Sequence, residues 1–243
     1  MISQNQKKLI RSLHKKKFRE QHSLFIIEGI RSLQEALNTK SQIKLVVSTE
    51  EFSKNNPSLI NQLDSIQNKT ITKAELNYLS PSKSPSGILA IYKTPQYTKP
   101  NWGRNIIFLD QVSDPGNMGT ILRSACWFGI SQVALSDGCI DPFNPKVVRS
   151  AMGAHFLLSW MGTIKLKDIK GLEIIGADLQ GLGIDTLKKI PKNWVLAMGS
   201  EAHGLSNDVK AQLDQTITIP KIGIGESLNV GVAMGILLYR LTQ

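Results

Sequence analysis

Cysteine is scarce: Cys126 and Cys139 are the two in 243 residues. Two thiols cannot build a disulfide framework or a four-cysteine zinc site. Their scarcity suits a reducing compartment, and the cytoplasm is the expected location. No run of about 18 apolar residues exists, so no membrane-spanning helix and no membrane partner are expected. The opening residues are polar and basic, without the apolar core of a secretion signal. Glycine (19) and proline (10) are neither abundant nor periodic, which excludes collagen-like and mucin-like chains. The histidines His14, His22, His155 and His203 show no metal-ligand spacing, so no metal is expected. Gly181-Leu182-Gly183 begins like a dinucleotide fingerprint, but Thr186 stands at the final glycine position and the pattern fails.

Acidic residues are also few. The chain holds 29 Lys+Arg against 19 Asp+Glu, a net +10. Residues 1–103 carry 16 bases and 7 acids, and residues 104–243 carry 13 and 12, so nearly all the excess lies in the first part. There Lys7, Lys8, Arg11, Lys15, Lys16, Lys17 and Arg19 precede the first acid, Glu20. Such a run attracts polyanions through counterion release. Nucleic acid is the favoured partner, with an anionic lipid surface or a merely solvated helix face as the alternatives.

With 41% apolar residues the chain is globular rather than disordered. Leu9, Ile10 and Leu13 recur at helical spacing among the lysines. Leu24–Ile27, Ile43–Val47 and Ile88–Tyr92 read as strands. Ile30–Leu37, Leu59–Ile66 and Ala74–Leu79 read as helices. Pro95, Pro100 and Gly103 mark a linker. The expected division is a basic α/β domain over 1–93, a linker over 94–103 and a second domain over 104–243. In the second part Ile106–Leu109, Val133–Leu135, Leu172–Ile175, Trp194–Met198 and Thr216–Ile219 are apolar and strand-length. Helical patterns at Thr120–Phe128, Lys146–Ser150, Asp208–Leu213 and Asn229–Leu241 alternate with them. That alternation implies a mostly parallel sheet covered on both faces, with ligands beyond the carboxyl ends of its strands.

Three loops fall at such ends. The first, Asp114-Pro115-Gly116-Asn117-Met118-Gly119, is turn chemistry in which Asn117 can cap a helix carrying Arg123. The second, Gly199-Ser200-Glu201-Ala202-His203-Gly204-Leu205-Ser206, brackets one carboxylate with glycines that permit close backbone approach. Ser206 can cap the helix after it. The third runs from Ile219-Pro220 to Ser227-Leu228-Asn229-Val230, with Gly223 and Gly225 inside it and Ser227 or Asn229 as a cap. The last helix is apolar on several sides and must be buried, in the core or against another chain. Gly231 and Gly235 suit close helix packing.

In series and in this order, the three loops resemble the motifs of the SpoU (TrmH-like) branch of the SPOUT RNA methyltransferases, over about residues 104–243. The first part, notably Phe25-Ile26-Ile27-Glu28-Gly29, is similar to that family's ribosomal-protein-like substrate-binding domain. The resemblance implies an α/β fold: a SPOUT-type, mostly parallel sheet ending in a trefoil knot, preceded by a small α/β RNA-binding domain. It also implies S-adenosylmethionine as cofactor, a homodimer, and methylation of a ribose 2′-hydroxyl in RNA. By motif match the backbone around Gly199, Ile219 and Leu228 is expected to hold the cofactor. Asn117, Arg123, Glu201, Ser227 and Asn229 match the catalytic positions. Asn144–Arg149 also looks family-like, and Arg149 is expected at RNA or at the partner chain, with a solvated side chain as the alternative. Lys221, after the third motif's proline, and Gly231, where Ser or Ala is common, depart from the usual pattern. Arg123 is either a general base or an electrostatic stabiliser of the developing alkoxide. Ribosomal RNA is the favoured substrate. Transfer RNA, or a non-catalytic RNA-binding or ribosome-assembly role on the same scaffold, is the alternative.

Overall fold

The computed structural model describes residues 2–39 and 42–243. The chain forms two compact units. The first comprises the chain up to Pro95 together with Asp141–Phe156; the second comprises Gln96–Ile140 and Leu157–Gln243. Asp141–Phe156 falls within the second domain by sequence position but belongs to the first unit in the fold.

The first unit runs α1 (Gln4–Ser12), α2 (Lys16–His22), β1 (Leu24–Glu28), α3 (Ile30–Asn38), β2 (Ile43–Thr49), α4 (Glu50–Asn55), α5 (Pro57–Asn61), β3 (Asn68–Ile71), α6 (Lys73–Leu79) and β4 (Ile88–Lys93). Its four strands lie in the order β1-β4-β2-β3, with β2 and β3 parallel and the other pairs antiparallel. Capping boxes start two of the helices. Ser3 and Gln6 exchange hydrogen bonds at α1, and Thr72 and Glu75 do so at α6. Ile10 and Leu13 turn inward from the basic segment and join Ile26, Val47, Leu76 and Leu79 in the core. The helix expected over Leu59–Ile66 is the shorter α5, begun by Pro57. Helix α4 and strand β3 went unread, because Glu50–Asn55 is polar and Asn68–Ile71 holds one buried residue.

Residues Asp141–Phe156 complete this unit for physical reasons. Asp141 accepts from the Arg19 guanidinium, whose Nε lies 2.9 Å from its Oδ2, while Arg19 Nη1 donates to the Leu13 carbonyl at 2.8 Å. Both partners are nearly buried. Phe143 and Phe156 pack against Phe25, and Phe156 also meets Tyr92. His155 lies fully buried beside them, with Nε2 2.7 Å from the Pro142 carbonyl.

The second unit begins with β5 (Ile106–Leu109), α7 (Pro115–Trp127) and β6 (Gln132–Leu135). The chain leaves it for α8 (Pro145–Ala151) in the first unit, then returns through β7 (Ser159–Thr163), β8 (Glu173–Gly183), β9 (Trp194–Met198), α9 (Asn207–Lys210), β10 (Gln215–Thr218) and α10 (Val230–Leu241). The six strands are parallel throughout, in the order β10-β8-β9-β5-β6-β7. The central β5 and β9 are buried along their whole length, as strands covered on both faces must be, which is why they read as unbroken apolar runs. Strand β7 was missed: Ser159-Trp160-Met161-Gly162-Thr163 contains a glycine at φ +77° and no β-branched run. Among the described residues no helix is long and apolar enough to cross a membrane.

Burial pushes the His155 imidazole down to about 4, against the pull of the Pro142 carbonyl and the Asp141 charge. Above pH 6.5 the ring is neutral in both folded and unfolded chains and stability is unaffected. Below 6.5 the unfolded chain takes up a proton that the folded one refuses. Stability therefore falls by about 1.4 kcal/mol per pH unit, about 3 kcal/mol by pH 4. Urea unfolding across this range is expected to show that loss in the wild type and a flatter profile in His155→Gln.

Candidate active site

In a parallel sheet all carboxyl ends share one edge. Strands β5 and β9 are neighbours, so the first two loops leave that edge side by side. Asp110, buried at the end of β5, fastens them. Its carboxylate accepts from Ser136 Oγ at 2.8 Å and from the Ser206 backbone N–H at 2.7 Å. Gln111 then turns in the left-handed region, φ +56°. The cap of α7 is Asp114, not Asn117 as the sequence suggested. The Asp114 carboxylate accepts from Asn117 N–H at 2.8 Å, and Pro115 occupies the first helical position, where its missing N–H costs nothing. The Asn117 side chain is thereby free for other work.

That work is a relay through all three motifs. Asn229 caps α10: its Oδ1 accepts from the N–H groups of Gly231 and Val232 at 2.9 and 3.3 Å. Because the oxygen is spent on the helix, the Asn229 amide nitrogen must point outward. It donates to Asn117 Oδ1 at 2.8 Å. The Asn117 oxygen is then taken as well, and its Nδ2 donates to the Glu201 carboxylate. One helix cap thus sets the orientation of two amides and one carboxylate, since each asparagine offers one oxygen and one nitrogen. Helix α10 crosses α7 closely beneath the relay: a Cβ on Gly231 would lie 2.8 Å from the Thr120 side chain. Gly235 has more room, 4.0 Å from Ser124.

Beside the relay opens a cavity of about 670 Å³. Its lining includes the three residues expected at the cofactor, Gly199, Ile219 and Leu228, together with Glu201 and Ser227. Gly199 is required for a reason nearer home than a ligand: a Cβ there would fall 2.0 Å from the Gly204 carbonyl carbon, across the Ser200–Gly204 backbone pair that closes the second loop. The wall also holds Asp178 and Lys210, ion-paired at 2.7 Å, a pair that lowers the Asp178 carboxyl. Sequence reading missed this pair because it ended the strand at Ile175, whereas β8 runs on to Gly183. A second recess of about 640 Å³, lined by Asp137, Thr163 and Lys165, contains no motif residue.

Arg123 and Ser227 stand outside the relay. Arg123 follows Asn117 by six residues, about 240° round the helix. It is exposed, and among the described residues its side chain has no hydrogen bond or ion pair. Ser227 is exposed in the third loop, likewise with no bonded partner among the described residues.

The basic residues of the first unit divide. Lys8, Lys15, Lys16 and Lys17 are exposed, Lys16 only loosely paired with Glu20 at 3.7 Å. Lys7 pairs with Glu75 at 2.6 Å. Arg11 is exposed, and Arg149 is exposed on α8 with Nη1 donating to Ser82 Oγ. Arg19 leaves the expected RNA-binding set: its charge is spent inside the fold on Asp141, and burial removes it from any phosphate.

Comparison with known proteins gives concordant results. The family model described as the SpoU rRNA Methylase family matches residues 104–239, and one described as an MRM3-like substrate binding domain matches residues 4–90. The 23S rRNA (guanosine(2553)-2′-O)-methyltransferase RlmP of Bacillus subtilis is 32% identical over 242 residues, covering 95% of this chain and 93% of its own. The structure of a putative RNA methyltransferase of the TrmH family from Porphyromonas gingivalis superposes with a TM-score of 0.86 at 30% identity, covering 99% of this chain and 98% of its own. An AdoMet-bound rRNA methyltransferase from Sinorhizobium meliloti gives 0.84 at 26% identity, covering 99% and 96%.

Asp110→Ala would strand a part-buried N–H and a part-buried hydroxyl. We expect it to cost about 2–4 kcal/mol in denaturant unfolding, more than Asn117→Ala at the wetter relay. Equal losses would remove Asp110 as the fastening of the two loops.

Proposed function

Since the chain belongs to the SpoU rRNA Methylase family, we propose that it methylates a ribose 2′-hydroxyl of RNA with S-adenosylmethionine as the donor. The observation that carries the reading is the relay Asn229–Asn117–Glu201, which joins three motifs far apart in sequence and whose Glu201 lines the 670 Å³ cavity. The name of the Bacillus subtilis relative favours ribosomal over transfer RNA, and the cytoplasm is where such a substrate would be met.

The cavity suits the cofactor. Its volume lies in the roughly 300–1,000 Å³ range of small-molecule sites. Its wall mixes apolar side chains, Met198, Ile217 and Leu237, with loop backbone at Gly199, Ile219 and Leu228, a surface for a flat base and its polar edge. When bound, S-adenosylmethionine supplies a sulfonium methyl that a nucleophile displaces in line. The protein's part begins with alignment of acceptor oxygen, methyl and sulfur, which proximity and orientation accomplish. We assign Glu201, held by Asn117, and Asn229, which caps its helix, to orienting the ribose, together with Ser227 from the loop before Asn229. A guanidinium stays protonated in proteins, and no carboxylate contacts Arg123 among the described residues. We therefore assign Arg123 to stabilising the developing alkoxide and clamping the adjacent phosphate, not to abstracting the proton.

The reading includes a homodimer and a knotted carboxyl end. Supporting the dimer, Val232, Ile236 and Tyr239 lie on one face of α10, all exposed, and Trp127 on α7 is 85% exposed. Apolar side chains at this spacing mark a face built to be covered. Supporting the knot, β10 pairs outside β8 while the following chain returns to lay α10 on α7, with Gly181 so near that a Cβ would sit 2.6 Å from the Ile217 backbone. The domain division is carried with it: the first unit holds RNA and the second performs the transfer.

Arg123→Ala is expected to keep cofactor affinity in calorimetry and to lose about 100- to 1,000-fold in methyl transfer. Mass-spectrometric mapping of ribose methylation in RNA, with and without the protein, reads both enzyme and target. No gain of methylated ribose in any RNA, together with no heat on titrating S-adenosylmethionine, would favour the non-catalytic alternative. In sedimentation, wild type is expected as a dimer and Ile236→Glu as a folded monomer; a monomeric wild type would discard the dimer.

A further inference from the structure

We propose that the first unit carries a stacking platform for one unpaired RNA base, formed by Tyr78 with Arg11 behind it, and that Arg149 takes a neighbouring phosphate. This rests on the RNA-methyltransferase reading, and it adds to it the residues that select the form of the substrate.

Tyr78 lies in the last turn of α6 and is 60% exposed. Its position is not loose. Arg11 Nη1 donates to the Tyr78 carbonyl at 3.0 Å, and the Arg11 guanidinium carbon stands over the ring, 5.0 Å from its centre. A cation stands over the ring, and the residue remains 60% exposed, so surface is left for a second partner. A cation on one face also polarises the ring toward an electron-rich partner on the other.

The backbone after Tyr78 is pinned at each step. The Leu79 carbonyl meets His14 Nε2 at 2.9 Å. Ser80 Oγ donates to Glu28 at 2.9 Å, and the Ser82 N–H returns to Ser80 Oγ at 2.9 Å. Ser82 Oγ then receives Arg149. Ser82 is four steps along the chain from Tyr78, so the two arginines bind points within about 14 Å of chain. They come from helices 138 positions apart in sequence (149 − 11) and converge on one five-residue segment.

The charge here is uncompensated. Among the described residues Arg11 and Arg149 form no ion pair, nor do the exposed Lys8 and Lys83 nearby in sequence. Of the carboxylates at hand, Glu75 is paired with Lys7, and Glu28, which keeps its charge, accepts from Ser80 and Ser86 and, among the described residues, not from either arginine. A lipid surface would use the charge but has no flat group for Tyr78. A duplex hides its bases inside the stack. An unpaired nucleotide uses both the ring and the cations, and splayed bases stacked on aromatics are how single-stranded RNA is held.

The test is affinity of the full-length protein for a short unstructured RNA and for a duplex of the same composition, at two salt concentrations. Tyr78→Ala is expected to weaken the single strand about 10-fold and to leave the duplex unchanged. Tyr78→Phe, which keeps the ring, should bind like wild type. Arg149→Ala should lower the salt dependence by about one ion. Unaltered single-strand affinity in Tyr78→Ala would overturn the proposal, as would equal loss on both probes or a Tyr78→Phe variant as weak as the alanine. Thermal unfolding checks that each variant is folded. Binding is read without methyl transfer, so the two readings fail separately. A protein that methylates nothing but grips single strands through Tyr78 supports the platform. One that methylates RNA and ignores the Tyr78 change overturns it.

Discussion

The cap of the last helix is the constraint on which the site depends. An amide has one acceptor and one donor end, and Asn229 commits its acceptor end to two helical N–H groups. The orientation of Asn117 follows, and the hold on Glu201 follows from that. The chain of cause runs from a local rule of helix ends to a carboxylate at the mouth of a cavity. It operates because parallel strands deliver their loops to one edge, and because Asp110 ties the first loop to the second. Elements 112 residues apart in sequence are thus joined by one hydrogen bond between two side chains.

The first unit follows a different logic. Its surface is basic, yet the sheet is closed by a segment borrowed from between β6 and β7. A buried Arg19–Asp141 pair and a group of aromatic rings fasten that segment. Burying an ion pair is more tolerable because a third guanidinium donor, on Nη1, is satisfied by the Leu13 carbonyl. The same chemistry, arginine amid lysines, therefore serves two ends: Arg19 holds the fold while Arg11 and Arg149 remain outside.

Much of this was legible beforehand. The strands β5 and β9 announced themselves as short apolar runs because both their faces are covered. The three loops were found because turn and cap chemistry is local. Ser206 caps α9 as expected, and Asn229 caps α10. What misled was competition between neighbours: Asp114 and Asn117 are both good caps, and Pro115 decided for Asp114 by fitting the first helical position. Strand β7 and the far half of β8 were missed because glycine and polar residues there hide the alternation that a strand normally shows.

The sequence by itself determined the kinds of element, the basic bias of the front part and the three motif loops, since propensity, capping and charge are properties of short segments. Only the tertiary structure decided which charges face solvent, where the segment after β6 belongs, and that Asn117 spends its side chain on Glu201 and Asn229 instead of on its own helix. Those outcomes depend on which groups meet across the fold. A hydrogen bond or an ion pair between distant residues leaves no periodic trace along the chain that makes it.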